Sequence, residues 1–297
     1  MSKEVRALLL DNSFLRLLEK SELVAKRTQG THLVGQRRSP RLGGGMEFND
    51  YRQYQRGDDY RYIDWNLYSR LEQLFLKQFV EERDYLVYFL VDHSRSMGYG
   101  QPTKLHYAAQ LAAALGYIAL IKSDRVGSVA FSSCLDAVMR PVKSKNRARS
   151  YFDFLAQLEP AGETNVNQAL TLFGHKYKQP GLAVVLSDFL DPLGYQQGIL
   201  ALRSAGWQVW LVQILSEQEV APTPGADLYL IDSETSQAKE VYLSEAAVNA
   251  YRQNVEAHCQ ALARFSKEYG NLYLRITTTD PLEHILFQRL RKERGLK

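Results

Sequence analysis

The chain has 297 residues, 45% hydrophobic and 24% charged, which is globular composition and excludes disorder as its main theme. Its 37 Lys and Arg against 33 Asp and Glu leave a formal net charge of +4, far from the dense positive charge of a dedicated nucleic-acid clamp. The two cysteines, Cys134 and Cys259, stand in no C-x-x-C pair, so neither a disulfide framework nor a cysteine zinc site is expected, and a reducing cytoplasm fits best.

The first twenty residues carry Lys3, Glu4, Arg6 and Asp11 around the run Leu8 to Leu10, too short and too charged for a signal peptide. Leu10, Phe14, Leu17 and Leu18 recur at helical spacing and predict an amphipathic helix over 5–20 that lies on a core. Residues 23–45 hold Lys26, Arg27, Arg37, Arg38 and Arg41 without an acidic residue and end in Pro40 and Gly43 to Gly45, which reads as a mobile basic loop. Residues 46–84 are aromatic-rich but too short for a large core of their own, so they are expected to pack on the domain that follows.

From Asp84 strands and helices alternate. The run 85–92 (YLVYFLVD) reads as a buried strand and 104–122 as a long helix. The apolar stretch Leu111 to Ile121 is about half the roughly 20 residues needed to cross a bilayer, so a buried helix is expected there. Runs 125–132 and 135–141 are joined too closely for a parallel crossover and predict an antiparallel hairpin. Helices near 146–158 and 166–177 lead to a strand at 181–188, and the alternation continues through 207–215 and 227–232. A helix at 244–269, a strand at 272–278 and a helix from about Pro281 complete the chain. The predicted fold is α/β, a doubly wound, mostly parallel, Rossmann-like sheet with one antiparallel edge strand. Residues 1–84 form an N-terminal extension packed on residues 85–297.

In such a sheet ligands bind beyond the carboxyl ends of the strands. Three segments fall there: Asp92-x-Ser94-x-Ser96, the loop Gly162-Glu163-Thr164-Asn165, and Ser187-Asp188. Two or three hydroxyls with two carboxylates suit Mg²⁺, a hard ion that keeps several waters and takes few protein carboxylates. Ser94 and Ser96 are expected to ligate directly, Thr164 directly or through water, and Asp92 and Asp188 to hold the bound waters. A first shell dominated by neutral hydroxyls leaves the ion electrophilic, able to accept a carboxylate from a second molecule. The blander alternative is that these residues are turn formers and helix caps.

These positions resemble the metal-ion-dependent adhesion site of von Willebrand factor A-like domains, with D-x-S-x-S after the first strand, a Thr in a Gly-containing loop and an Asp after the fourth strand. Ahead of them, Gly45-Met46-Glu47-Phe48, Tyr51-Arg52-Gln53-Tyr54, Gly57-Asp58-Asp59, Arg61, Ile63-Asp64-Trp65 and Glu82-Arg83-Asp84 resemble the block that precedes such a domain in the bacterial family called domain of unknown function 58. Tyr60 and Arg56 stand where that family commonly shows Pro. The resemblance spans about residues 33–215 and implies a cytoplasmic adaptor for a MoxR-type AAA+ ATPase in complex assembly or metal insertion. Within the block, Gly57-Asp58-Asp59 reads as a capping turn, with Arg52, Arg61 and Arg70 as partners for its carboxylates and Trp65 and Tyr68 as apolar anchors. Gly57, Asp58, Asp59, Arg61, Asp64 and Trp65 are thus expected to be structural or to bind a partner.

No G-x-x-x-x-G-K-[ST] and no G-x-G-x-x-G after a strand occurs, and the six histidines are dispersed without H-E-x-x-H. The expected function is a non-enzymatic protein-binding module with a Mg²⁺-dependent adhesion site. Two alternatives are a metal-dependent phosphohydrolase, whose aspartyl-phosphate form would need an Asp where Ser94 stands, and nucleic-acid binding through the basic loop.

Overall fold

The computed structural model describes residues 10–21, 23, 46–81, 85–222, 227–231, 238–242, 244–293 and 295–296. They fall into two units, one within residues 27–84 and one joining the residues before 27 to those after 84. Helix α1 (Asn12–Leu18) starts where the Asp11 carboxylate accepts a bond from Phe14 N at 2.7 Å, a side-chain N-cap. It buries Phe14 and Leu18, with Leu10 just ahead of it, in one apolar cluster with Val87 and Ala113. The first helix therefore belongs with the sheet, since its apolar face finds its core there, whereas the sequence drew a single boundary at residue 84. The basic stretch 24–45 lies outside the described residues.

In the smaller unit, β1 (Met46–Gln53) pairs antiparallel with β2 (Phe75–Glu81), with a bulge between Phe48 and Asp50. Between them Gly57 sits at φ +105°, a turn conformation that favours glycine, and helix α2 (Trp65–Leu71) follows. Ile63 bridges to Leu76, and both are buried.

The larger unit runs β3 (Leu86–Asp92), α3 (Lys104–Ile121), β4 (Arg125–Phe131), β5 (Leu135–Lys143), α4 (Ala148–Ala156), α5 (Val166–Lys176), β6 (Leu182–Ser187), α6 (Gln196–Ser204), β7 (Gln208–Leu215), α7 (Glu217–Val220), β8 (Asp227–Ile231), β9 (Ala238–Tyr242), α8 (Glu245–Glu268), β10 (Leu272–Thr277) and α9 (Leu282–His284). Six strands form one sheet in the order β10-β7-β6-β3-β4-β5, parallel throughout except for the β4–β5 hairpin. This is the doubly wound sheet with one antiparallel edge that the alternation predicts.

Every residue of β3 and β6 is buried because both sheet faces are covered. Successive side chains divide between the faces: Val87, Phe89 and Val91 join the cluster of α1, α3 and α4, and Leu86, Tyr88 and Leu90 join that of α5 and α6. Strand order reverses between β3 and β6, since β4 and β5 lie to one side and β7 and β10 to the other. The loops leaving these two strands diverge there, at the place where a sheet of this kind holds its ligands in a crevice.

Two expectations change. Residues 227–232 do not extend the main sheet: β8 pairs antiparallel with β9, while the free edge of β7 is taken by β10. The helix from Pro281 is only Leu282–His284 before it widens into π-helical Ile285–Leu290, which buries Ile285, Leu286 and Leu290. No helix among the described residues is long and apolar enough to cross a membrane.

Candidate functional site

Val91 of β3 is in register with Leu186 of β6, so Asp92 and Ser187 end adjacent parallel strands side by side. Ser187 Oγ donates to Asp92 Oδ2 at 2.6 Å. The other oxygen, Oδ1, accepts from Ser94 N at 3.0 Å and Ser94 Oγ at 2.7 Å. Ser94 then opens a 3₁₀ turn, Arg95–Gly98, that brings Ser96 back toward it: the two Oγ atoms are 3.1 Å apart, and Ser96 Oγ donates to Asp188 Oδ2 at 3.2 Å. Asp188 Oδ1 accepts from Leu190 N at 3.0 Å, and its carbonyl accepts from Gln213 Nε2 at 3.0 Å. Directly after it Phe189 is held at φ +55°, a strained conformation for a buried aromatic residue.

Thr164 is buried in the neighbouring loop, one residue before Asn165, which caps α5 by accepting from Gln168 N at 2.9 Å. That loop lies along the turn after β3: Ala161 N donates to His93 O at 2.7 Å and Arg95 N to Gly162 O at 3.2 Å. Asp92, Ser94, Ser96 and Asp188 thus form one continuous chain of hydrogen bonds, with the Thr164 loop tied to it through backbone. His93 is buried and turned to other work, with Nε2 2.9 Å from Asp136 Oδ2 and Nδ1 3.0 Å from the Glu159 carbonyl.

Burial raises the Asp92 carboxyl, and the charge of Asp188 raises it further, against the hydrogen bonds of Ser187 and Ser94, to about 6. Sequence reading missed the group that balances these carboxylates. Lys104 Nζ lies 2.6 Å from Asp188 Oδ2 and 2.6 Å from Glu219 Oε1. Burial alone would lower its pKa, but the charges of Asp188 and Glu219 raise it above the ordinary lysine value. A signal existed: Lys104 is the first residue of α3, and a cation at a helix N-terminus opposes the macrodipole, so it needs a compensating anion. Glu219 belongs to a capping box at the start of α7, its Oε2 accepting from Ser216 N at 2.8 Å.

In the smaller unit Asp58 accepts from Arg52 and from Gln55 N, both at 2.8 Å, and the Arg52 bond holds its carboxyl below the usual range. Asp59 pairs with Arg61 at 2.6 Å, and Asp64 caps α2 by accepting from Asn66 N and Leu67 N while Tyr51 Oη donates to its other oxygen. The expected anchoring role of Trp65 is not found. It is 61% exposed and meets Tyr68, also exposed, edge to face at 6.1 Å, whereas Ile63 and Leu76 are buried.

Residues 50–261 match the family described as "Protein of unknown function DUF58". The chain belongs to the DUF58 family. The matched span holds Asp58, Asp59 and Asp64 as well as the residues joined beyond β3 and β6, from Asp92 to Glu219. This DUF58 chain is 25% identical over 276 residues to an uncharacterised protein of Mycobacterium tuberculosis, covering 90% of this chain and 86% of that one. Among solved structures it is similar to an aerotolerance-related membrane protein from Bacteroides fragilis, with a TM-score of 0.45 and 19% identity over 71% of this chain and 98% of that one. It is also similar to a von Willebrand factor type A structure from Catenulispora acidiphila, with a TM-score of 0.34 and 16% identity over 46% of this chain and 34% of that one.

The donor set fits a hard cation. Ser94 Oγ and Ser96 Oγ, the two expected direct ligands, stand 3.1 Å apart. An octahedron with metal–oxygen bonds of about 2.1 Å has adjacent oxygens about 3.0 Å apart. Among the described residues no three His, Cys, Asp or Glu side chains gather as a metal cluster, so a cation here would depend on hydroxyls.

Proposed function

We propose that this DUF58 chain is a protein-binding module that presents Mg²⁺ at the crevice beyond β3 and β6 and takes a partner's carboxylate as the last ligand. The observation that supports this most is the continuous chain of oxygens from Asp92 through Ser94 and Ser96 to Asp188 at the point where strand order reverses. Ser94 and Ser96 would bind the ion directly, Thr164 directly or through water, and Asp92 and Asp188 would hold its waters. When bound, the ion supplies an electrophilic point for an incoming carboxylate. Ser94 and Ser96 orient it, Asp92 fixes Ser94 through two bonds, and Ser187 fixes Asp92.

The family resemblance suggests a MoxR-type AAA+ ATPase as the partner and the cytoplasm as the setting, where the free thiols of Cys134 and Cys259 are at home. In the 46–84 block Asp58, Asp59 and Asp64 are engaged within their own unit, and the exposed residues Trp65, Tyr68 and Leu71 would serve as a second contact surface. The test is a pulldown from cell extract with Mg²⁺ and with EDTA, using the chain and its Ser94→Ala/Ser96→Ala variant. Retention of a defined protein that EDTA and the double substitution both abolish supports the reading. Hydrolysis of phosphate esters by the purified chain, lost in Asp92→Asn, would replace it with the phosphohydrolase reading.

A further inference from the structure

Lys104 brings a positive charge to the carboxylate oxygen that would also face the metal. Asp188 Oδ2 is 2.6 Å from Lys104 Nζ and 3.2 Å from Ser96 Oγ, so one oxygen serves both the ammonium and a proposed metal ligand. The lysine side chain is 1% exposed and also pairs with Glu219 Oε1 at 2.6 Å. Glu219 is 15% exposed and is itself fixed by its bond to Ser216 N. The ammonium therefore spans two seats, one inside the crevice and one beside it.

We propose that Lys104 is a tethered cation that competes with the divalent ion for Asp188 and so sets the metal affinity of the site, with Glu219 as the seat that keeps the ammonium once the metal engages Asp188. This rests on the metal reading above and adds to it a residue outside the five-position motif. The ammonium and an ion whose ligand and water Asp188 holds repel each other, and the buried surroundings screen them poorly. The consequence is a site that binds metal weakly alone and more firmly when a partner's carboxylate adds its negative charge, so that metal and partner each raise the other's affinity.

The test is Mg²⁺ titration calorimetry on the full chain, with melting temperature against Mg²⁺ as a second readout. The proteins are wild type, Lys104→Met, Glu219→Gln, the Lys104→Met/Glu219→Gln pair, and Ser94→Ala/Ser96→Ala as the site control. Removing one positive charge a few ångströms from the ion should tighten Mg²⁺ binding in Lys104→Met by about tenfold or more. Glu219→Gln should weaken binding, because the ammonium is then left with Asp188 alone, and this effect should shrink in the Lys104→Met background. If Lys104→Met binds Mg²⁺ as wild type does, while the serine control abolishes binding, the tethered-cation proposal is wrong and the metal reading stands. If wild type, Lys104→Met and the serine control bind alike, the metal reading fails and this proposal with it. If Lys104→Met does not fold, Glu219→Gln decides: Mg²⁺ affinity unchanged from wild type overturns the proposal.

Discussion

Ser187 Oγ lies 2.6 Å from Asp92 Oδ2 and joins the last residue of β6 to the last residue of β3 across the point where strand order reverses. Both groups are buried, so neither has water to fall back on. Ser187→Ala should lower stability by about 1–3 kcal/mol in urea unfolding, the range for leaving a buried acceptor short of a donor. It should also raise the Asp92 carboxyl further, since the lost bond favours the ionised form. An unchanged unfolding midpoint would mean that Ser94 alone suffices to hold the carboxylate.

The direction of the Asp92 shift fixes the sign of a pH effect. Its carboxyl stands near 6 in the folded chain against an ordinary 3.8, so between those values the folded state holds the proton that the unfolded state has released. The stability this group contributes is complete below 3.8 and is lost as pH rises through about 6. Asp92→Asn, which does not ionise, should escape this loss. With metal chelated, the stability of wild type relative to Asp92→Asn should therefore fall between the acid side of 3.8 and the neutral side of 6. Parallel urea curves for the two proteins across that window, with a constant difference, would contradict the assignment.

Much of this architecture is legible in the chain because β3 and β6 are nearly continuous apolar runs and β7 is one broken inside only by Gln213, as suits strands covered on both faces. The β4–β5 hairpin follows from a connection too short for a crossover. What the sequence hides is set by partners far along the chain. Lys104 meets Asp188 across 84 positions, and only its awkward place at a helix N-terminus hints that an anion waits there. The β8–β9 hairpin is obscure because β9, AKEVY, carries no apolar run, and Trp65 reads as core by residue type although α2 turns it outward.

Asp191 is another residue whose role depends on distant sequence. Its Oδ2 accepts from Val166 N, the first residue of α5, at 2.8 Å, and its Oδ1 accepts from Leu193 N at 2.8 Å. The loop after β6 thereby caps the helix that follows the Thr164 loop. Asp191→Ala should cost about 1–2 kcal/mol, the upper part of the range for lost helix caps, because the carboxylate is buried. It should also weaken Mg²⁺ binding if Thr164 takes part, and calorimetry beside a denaturation curve separates the two effects.

Asp64 and Trp65 are neighbours with opposite expectations. Asp64 is buried, caps α2 through two backbone bonds and accepts from Tyr51 Oη at 2.9 Å, so Asp64→Ala should destabilise the smaller unit by about 1–2 kcal/mol. Trp65 is exposed, so Trp65→Ala should change stability by no more than about 0.5 kcal/mol. If the block is a contact surface, Trp65→Ala should instead reduce retention of the partner in the pulldown. A folding defect in Trp65→Ala would make it a structural residue after all.

Gly116 offers a test of how tightly the buried helix α3 is packed. On an exposed helix, Gly→Ala stabilises by about 1 kcal/mol through propensity. Here a Cβ would collide with Tyr151 Cε1 and stand 2.8 Å from its Oη, well inside contact distance. The ring has little freedom to withdraw: it is fully buried, its hydroxyl donates to the Ala112 carbonyl at 3.1 Å, and it meets the Phe89 ring at a tilt, 6.1 Å between centroids. Gly116→Ala should therefore reverse sign and destabilise by about 1–3 kcal/mol, the usual range for overpacking a core. In a Tyr151→Leu background the clash is gone and the same substitution should stabilise. A double-mutant cycle of urea unfolding measures the difference, and a coupling energy near zero would show that Tyr151 yields without cost and that α3 is less closely packed than its contacts indicate.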